Sequence, residues 1–185
     1  MWKDITLKVT PDMVKDAQGN EKKAFLGHLG THFDVMDKVF PLEYLRRDAY
    51  IFDVSSIKDR DIDVDDIDLD EVKEDMFIGF CSGFIEDETY GTRTYFKEHP
   101  QLSQELIKKL IERKISIIGI DFAGIRRGEQ HPLADQYCAD HGVFVVENLW
   151  GLSEVVGRCV VNTYPLNYTD MSGLPCRVIA EVSEL

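Results

Sequence analysis

Apolar and polar residues alternate at the start of the chain, with Ile5, Leu7 and Val9 on one parity. This period of two predicts a half-buried strand from Trp2 to Val9 that stops at Pro11. A polar Gly- and Asn-containing turn over 16–21 follows, then a second strand from Lys23 to Asp34, a short helix opening on Pro41, and a strand from Ala49 to Val54. Between Asp59 and Asp75 acids interleave with Ile62, Val64, Ile67, Leu69 and Val72, which suggests a strand and then a helix around 68–74. Met76–Phe80 is an uninterrupted apolar run suited to a buried strand, whereas Ser82–His99 has no clear period and reads as a long loop. Ser103 caps a helix that runs to Arg113 with its stripe at Leu102, Leu106, Ile107, Leu110 and Ile111. Ile115–Asp121 is then a buried strand. The helix–strand succession repeats at Pro132–Ala139 and Val143–Glu147, before a short helix at Trp150–Arg158 and a closing strand at Arg177–Val182. Helices alternating with apolar strands indicate an α/β fold.

Within the second strand, Gly27-His28-Leu29-Gly30-Thr31-His32-Phe33-Asp34 carries three metal-binding side chains at even positions. On an extended strand His28, His32 and Asp34 share one face while Leu29, Thr31 and Phe33 take the other. On a helix Asp34 would swing roughly 120° away from His28. Two imidazoles and a carboxylate suit zinc, manganese or iron. A second group lies in His131-Pro-Leu-Ala-Asp135 and Glu147: with a helix starting at Pro132, His131 sits at its cap, Asp135 one turn on, and Glu147 at a strand end where α/β sheets expose their chemistry. Arg126 and Arg127 lie between the two groups as candidate carboxylate binders, and Asp121 could orient a ligand histidine or cap a turn. His99 reads as a loop residue and His141 as a helix C-terminal cation.

Composition narrows the partners. The 185 residues are 44% hydrophobic and 30% charged, ordinary for one globular domain, so the whole of 1–185 is taken as a single unit. A net charge of −13 argues against nucleic acid or an anionic membrane surface as partner. Cys81, Cys138, Cys159 and Cys176 form no Cys-x-x-Cys pair, which points to free thiols in a reducing compartment. With no secretory leader or membrane-length apolar run, a cytoplasmic location is expected.

The chain resembles the cyclase-like metal-dependent hydrolases, the family of bacterial kynurenine formamidase and isatin hydrolase. The resemblance rests on Asp4-Ile-Thr6, His28-Leu-Gly-Thr-His32-Phe-Asp34, Gly119-Ile-Asp121, Glu147-Asn-Leu149 and Leu174-Pro-Cys-Arg177, in family order along nearly the full length. It implies a swivelling β/β/α fold, a mixed sheet with helices packed on it. It also implies a divalent metal, Zn or Mn, on His28, His32 and Asp34, with Asp34 able to bridge to a second ion held by a later histidine and Glu147. Where the family keeps that histidine this chain has Asp135, so either Asp135 replaces it or His131 reaches in from one turn earlier. Where the family keeps an acid/base histidine after the aspartate this chain has Lys38, whose use as a base would require a strongly depressed pKa. The family's Thr-Gly-Trp loop is Ser82-Gly83-Phe84 here. The resemblance further implies a small-molecule substrate and a homodimer or homotetramer.

The expected activity is therefore hydrolysis of a small amide, lactam or ester, with Glu147 and Lys38 as catalytic candidates, Lys38 as a cation that stabilises the oxyanion. A metal-binding relative that has lost its acid/base group is the alternative, and an α/β interaction module without metal is a third reading.

Overall fold

A computed structural model describes residues 1–182. Its strands are β1 (Trp2–Asp4), β2 (His32–Asp34), β3 (Arg46–Asp53), β4 (Phe77–Cys81), β5 (Ile117–Ile120), β6 (Phe144–Glu147), β7 (Gly157–Pro165) and β8 (Gly173–Glu181). The helices are α1 (Pro11–Ala17), α2 (Glu21–Phe25), α3 (Phe84–Asp87), α4 (Arg93–Glu98), α5 (Gln104–Glu112) and α6 (Gln130–Asp140). The sheet runs β1-β8-β2-β6-β5-β4-β3-β7, and β7 returns to pair with β8, so seven strands close into a barrel that β1 joins through β8. The β3, β4, β5 and β6 neighbours are parallel; the closing pairs are antiparallel.

Strand alternation divides the core into two layers. Phe33, Ile51, Phe77, Ile117, Phe144, Val146 and Val178 belong to the cluster inside the barrel. Ile78, Phe80, Ile118, Ile120 and Val145, on the opposite parity, pack outward with Leu106, Leu110 and Cys138 of α5 and α6. The barrel is narrow because Gly79 and Gly119 face inward: a Cβ on Gly119 would come within 2.3 Å of the Phe77 ring, and one on Gly79 within 2.4 Å of Ile51.

The β4, α5, β5, α6 and β6 elements agree with the hydrophobic pattern. The N-terminal region differs. The strand expected to reach Val9 stops at Asp4, since Thr10 caps α1 through the Met13 amide with Pro11 opening the helix. The strand expected from Lys23 begins only at His32: Asn20 caps α2, and Gly27 and Gly30 take left-handed φ values of +84° and +72°, which no strand sustains. The 59–75 segment forms an isolated bridge at Ile62 and two 3₁₀ turns, Val64–Asp66 and Leu69–Glu71, rather than a strand and a helix. The expected loop at 82–99 contains α3 and α4. The short helix expected at 150–158 is a 3₁₀ turn over Leu152–Val155, after which β7 begins. The four cysteines are buried and free. Among the described residues no helix is long and apolar enough to cross a membrane.

Candidate metal centre

Strand register assembles the first half of the site. Phe33 points into the barrel, so His32 and Asp34 point outward beneath α6, and His32 lies directly opposite Glu147 in the β2–β6 pair. His28 reaches the same place by another route. It leaves the turn between Gly27 and Gly30, and its Nδ1 approaches Asp34 Oδ1 at 3.0 Å and His32 Nε2 at 3.1 Å. Strand alternation thus places His32 and Asp34 on one face, while two left-handed glycines deliver His28.

The α6 helix supplies the second half. His131 and Asp135 are one turn apart and both face the cluster. His131 lies inside the first turn, after Glu129 at the N-cap, rather than at the cap itself. Its Nε2 is 3.0 Å from Asp135 Oδ2, 3.1 Å from Glu147 Oε1 and 3.9 Å from Asp34 Oδ2. Two candidate ligand groups result, His28–His32–Asp34 and Asp34–His131–Asp135–Glu147, with Asp34 common to both.

These residues fit a cation. Asp34 Oδ2, Asp135 Oδ1 and Glu147 Oε1 are buried without a well-directed hydrogen bond, Glu147 Oε1 facing only the His131 ring nitrogen at 3.1 Å, a costly condition that a cation would relieve. His32 Nδ1 donates to the Gly30 carbonyl at 2.9 Å, which leaves its Nε2 as a lone pair aimed at Asp34 and Glu147, each 3.7 Å away. The other nitrogen of His28 meets Ser172 Oγ at 2.9 Å.

Titration follows from the crowding. Burial pushes His32 down to about 4, partly offset by the Asp34 charge. Burial would raise Asp34, but its contacts with His131 and His28 and the charge of His32 hold it well below the usual carboxylate range. Burial and the Asp34 charge raise both Asp135 and Glu147. Burial disfavours the charged form of His131; the Glu147 charge and the contacts with Asp135 and Asp34 overcome this and raise it. His131 Nε2 thus faces the carboxyl groups of Asp34, Asp135 and Glu147.

Lys38 is not part of this cluster. Its ammonium is 2.7 Å from Asp140 and 3.0 Å from Asp37, and these partners raise its pKa, the reverse of what a lysine base requires and compatible with a permanent cation, here paired with two carboxylates. Arg126 is held by Asp61 at 2.5 Å, by the Leu102 carbonyl and by Gln130, so it braces loops rather than waiting for a substrate carboxylate; Arg127 donates to the Lys97 carbonyl. Asp121 binds the Ser82 amide and hydroxyl and the Gly83 amide, securing the β4 exit, and burial pushes it up to about 6. His99 is a loop residue but fully buried, stacked on Phe122, and His141 caps α6 through the Tyr137 carbonyl. Ser172 and Asn148 are contributors that sequence reasoning overlooked. Asn148 follows Glu147 inside a motif already noted, whereas nothing near Ser172 marks it.

Comparison with known proteins agrees with this architecture. The chain superimposes over 100% of its length, and 99% of the other, on a solved structure described as "The Structure Of Potential Metal-Dependent Hydrolase With Cyclase Activity", with TM-score 0.79 and 25% identity. A Bacillus stearothermophilus structure described as a "predicted metal-dependent hydrolase" gives 0.76 and 24% over 97% of both chains. Isatin hydrolase A from Labrenzia aggregata gives 0.77 and 18% over 100% and 94%, showing the shared fold. No curated protein matches the chain. The family model described as "Putative cyclase" matches residues 3–126, and the chain accordingly belongs to the Cyclase family.

Proposed function

We propose that this protein is a divalent-metal-dependent hydrolase of a small amide, lactam or ester. The observation that carries the proposal is the pair of ligand groups joined at Asp34, with Asp34 Oδ2 and, in the second group, Asp135 Oδ1 and Glu147 Oε1 buried without a directed hydrogen bond. His28, His32 and Asp34 would hold one ion, and Asp34, His131, Asp135 and Glu147 a second; zinc or manganese suits this nitrogen and oxygen set. When bound, a divalent cation supplies Lewis acidity towards a carbonyl oxygen and towards water.

The protein's own groups supply the rest. His28 and His32 are held by Ser172 and Gly30 so that one nitrogen of each faces Asp34. Glu147 has two differently placed oxygens, Oε1 beside His131 and Oε2 towards His32. It can take a proton from an attacking water and return it to a leaving nitrogen or oxygen. Glu147 thereby assumes the proton-transfer role for which Lys38 is unsuited. His131, the most exposed member with 23% of its side chain accessible, marks the side from which a substrate enters. The solved neighbours described as metal-dependent hydrolases and isatin hydrolases support this class.

The ion pairs of Lys38 favour one alternative, a metal-binding relative without turnover. Incubating the Zn²⁺- or Mn²⁺-loaded protein with N-formylkynurenine, isatin and simple lactones separates the two. Turnover that a chelator abolishes supports the hydrolase, and stoichiometric metal with no turnover of any of them supports the alternative.

A further inference from the structure

We propose that Asn148, anchored by Tyr95, is a positioning residue that acts through the Gly30 carbonyl to fix the aim and tautomer of His32. Its consequence for metal binding rests on the reading above; the geometry does not.

The Gly30 carbonyl accepts two hydrogen bonds, from His32 Nδ1 at 2.9 Å and from Asn148 Nδ2 at 3.0 Å. A carbonyl oxygen only accepts, so the imidazole nitrogen facing it must carry the proton, and the Asn148 amide holds that oxygen in line with the ring. Asn148 is oriented in turn by Tyr95, whose hydroxyl donates to Oδ1 at 2.7 Å. A flipped amide would set Oδ1 against the Gly30 oxygen, acceptor against acceptor. The backbone of Asn148 serves the same segment: its carbonyl accepts from Thr31 Oγ1 at 2.7 Å, and Thr31 Oγ1 accepts from the Leu7 amide at 2.8 Å. Gly30 donates its own amide to Tyr90 at 2.9 Å.

Asn148 adopts φ +57°, a left-handed conformation that asparagine tolerates better than most residues. That conformation turns its carbonyl and its amide side chain to the Gly30–Thr31 turn directly after Glu147 leaves β6. Asn148 and Tyr95 are both buried, so nothing from solvent replaces these bonds. One residue thus ties the strand end carrying Glu147 to the turn between His28 and His32.

The test uses metal-free protein first. Two-bond ¹H–¹⁵N spectra of the wild type should show His32 protonated at Nδ1 and bare at Nε2. Asn148→Gly keeps the left-handed backbone and removes the amide, Asn148→Asp sets a carboxylate against the Gly30 oxygen, and Tyr95→Phe removes one hydroxyl. We expect mixed tautomers in both Asn148 variants. Zn²⁺ affinity should fall about 10- to 100-fold in these and up to about 10-fold in Tyr95→Phe, with the absorption spectrum of Co²⁺-loaded protein altered. A wild-type tautomer and Zn²⁺ affinity in Asn148→Gly, accompanied only by a lower melting temperature, overturns the proposal. If Asn148→Gly does not fold, Tyr95→Phe decides, and unchanged tautomer and affinity there overturn it. Wild type that binds no metal would contradict the proposed function, while the tautomer comparison still decides the role of Asn148.

Discussion

Replacing Glu147 by Gln should stabilise the metal-free protein and weaken its response to metal. The amide keeps the volume of a side chain that is 3% exposed and removes one of three clustered negative charges. The ligand atoms of Asp34, Asp135 and Glu147 lie within 4.8 Å of one another. At an effective dielectric constant near 20 each like-charge pair at that separation costs about 3.5 kcal/mol. Two such repulsions act on Glu147, against one attraction of about 5 kcal/mol from His131 at 3.1 Å. The balance is a net penalty on the order of 2 kcal/mol, which corresponds to a melting temperature about 4–8 °C higher for the variant in a chain of this size. Because the folded-state pKa of Glu147 is raised, native wild type loses stability as pH rises from the ordinary carboxylate range through that value. The gap between variant and wild type should therefore open with rising pH and close in acid. With Zn²⁺ at about 100 times its dissociation constant wild type gains about 2.7 kcal/mol, and the variant should gain clearly less, so the order of stabilities reverses. Thermal melts at pH 8 with chelator and with metal test this; a metal-free variant less stable than wild type, or equal metal shifts, would refute the reasoning.

Three further outcomes follow. His99 is held at about 4, below its ordinary 6.5, chiefly by burial, so its contribution is complete above pH 6.5 and is lost as pH falls towards 4, about 2 kcal/mol by pH 5; denaturant titrations should show this loss in wild type and not in His99→Gln. Lys38→Ala removes an ammonium engaged with Asp37 and Asp140, so kcat and metal affinity should stay within about twofold; a hundredfold fall in kcat would return Lys38 to the catalytic machinery. Gly27→Ala would place a Cβ 2.1 Å from the Gly173 carbonyl at φ +84°, costing about 3 kcal/mol or more and loosening His28, seen as a lower midpoint together with weaker metal binding.

Much of the fold was legible because its central elements are long or uniformly apolar. The α5 stripe, the Ile117–Ile120 run and the α6–β6 pair declare themselves through periodicity and caps. Short elements escape this logic: β1 and β2 have three residues each and are fixed by pairing with β8, which no local pattern records. In β7, Cys159, Val161 and Thr163 are buried on one parity, yet Arg158 and Asn162 dilute the signal that a strand starts at Gly157. At the site, the spacing of His28, His32 and Asp34 picked out three residues that the fold does bring together, but through a partly different geometry, since a strand was expected where two glycines form a turn. That His131 and Asp135 both face the cluster could not be read in sequence, because it depends on where α6 starts. The ion pairing of Lys38 depends on Asp140, a hundred residues away along the chain, and only the fold brings the two together.

The central claim is that two ligand groups sharing Asp34 hold divalent metal. Elemental analysis of the chelator-treated protein after loading with Zn²⁺ or Mn²⁺ and exhaustive dialysis tests it most directly. Retention of stoichiometric metal, saturating at two ions per chain and lost in Asp34→Asn, is the predicted result; protein that retains less than about a tenth of an equivalent would contradict the account.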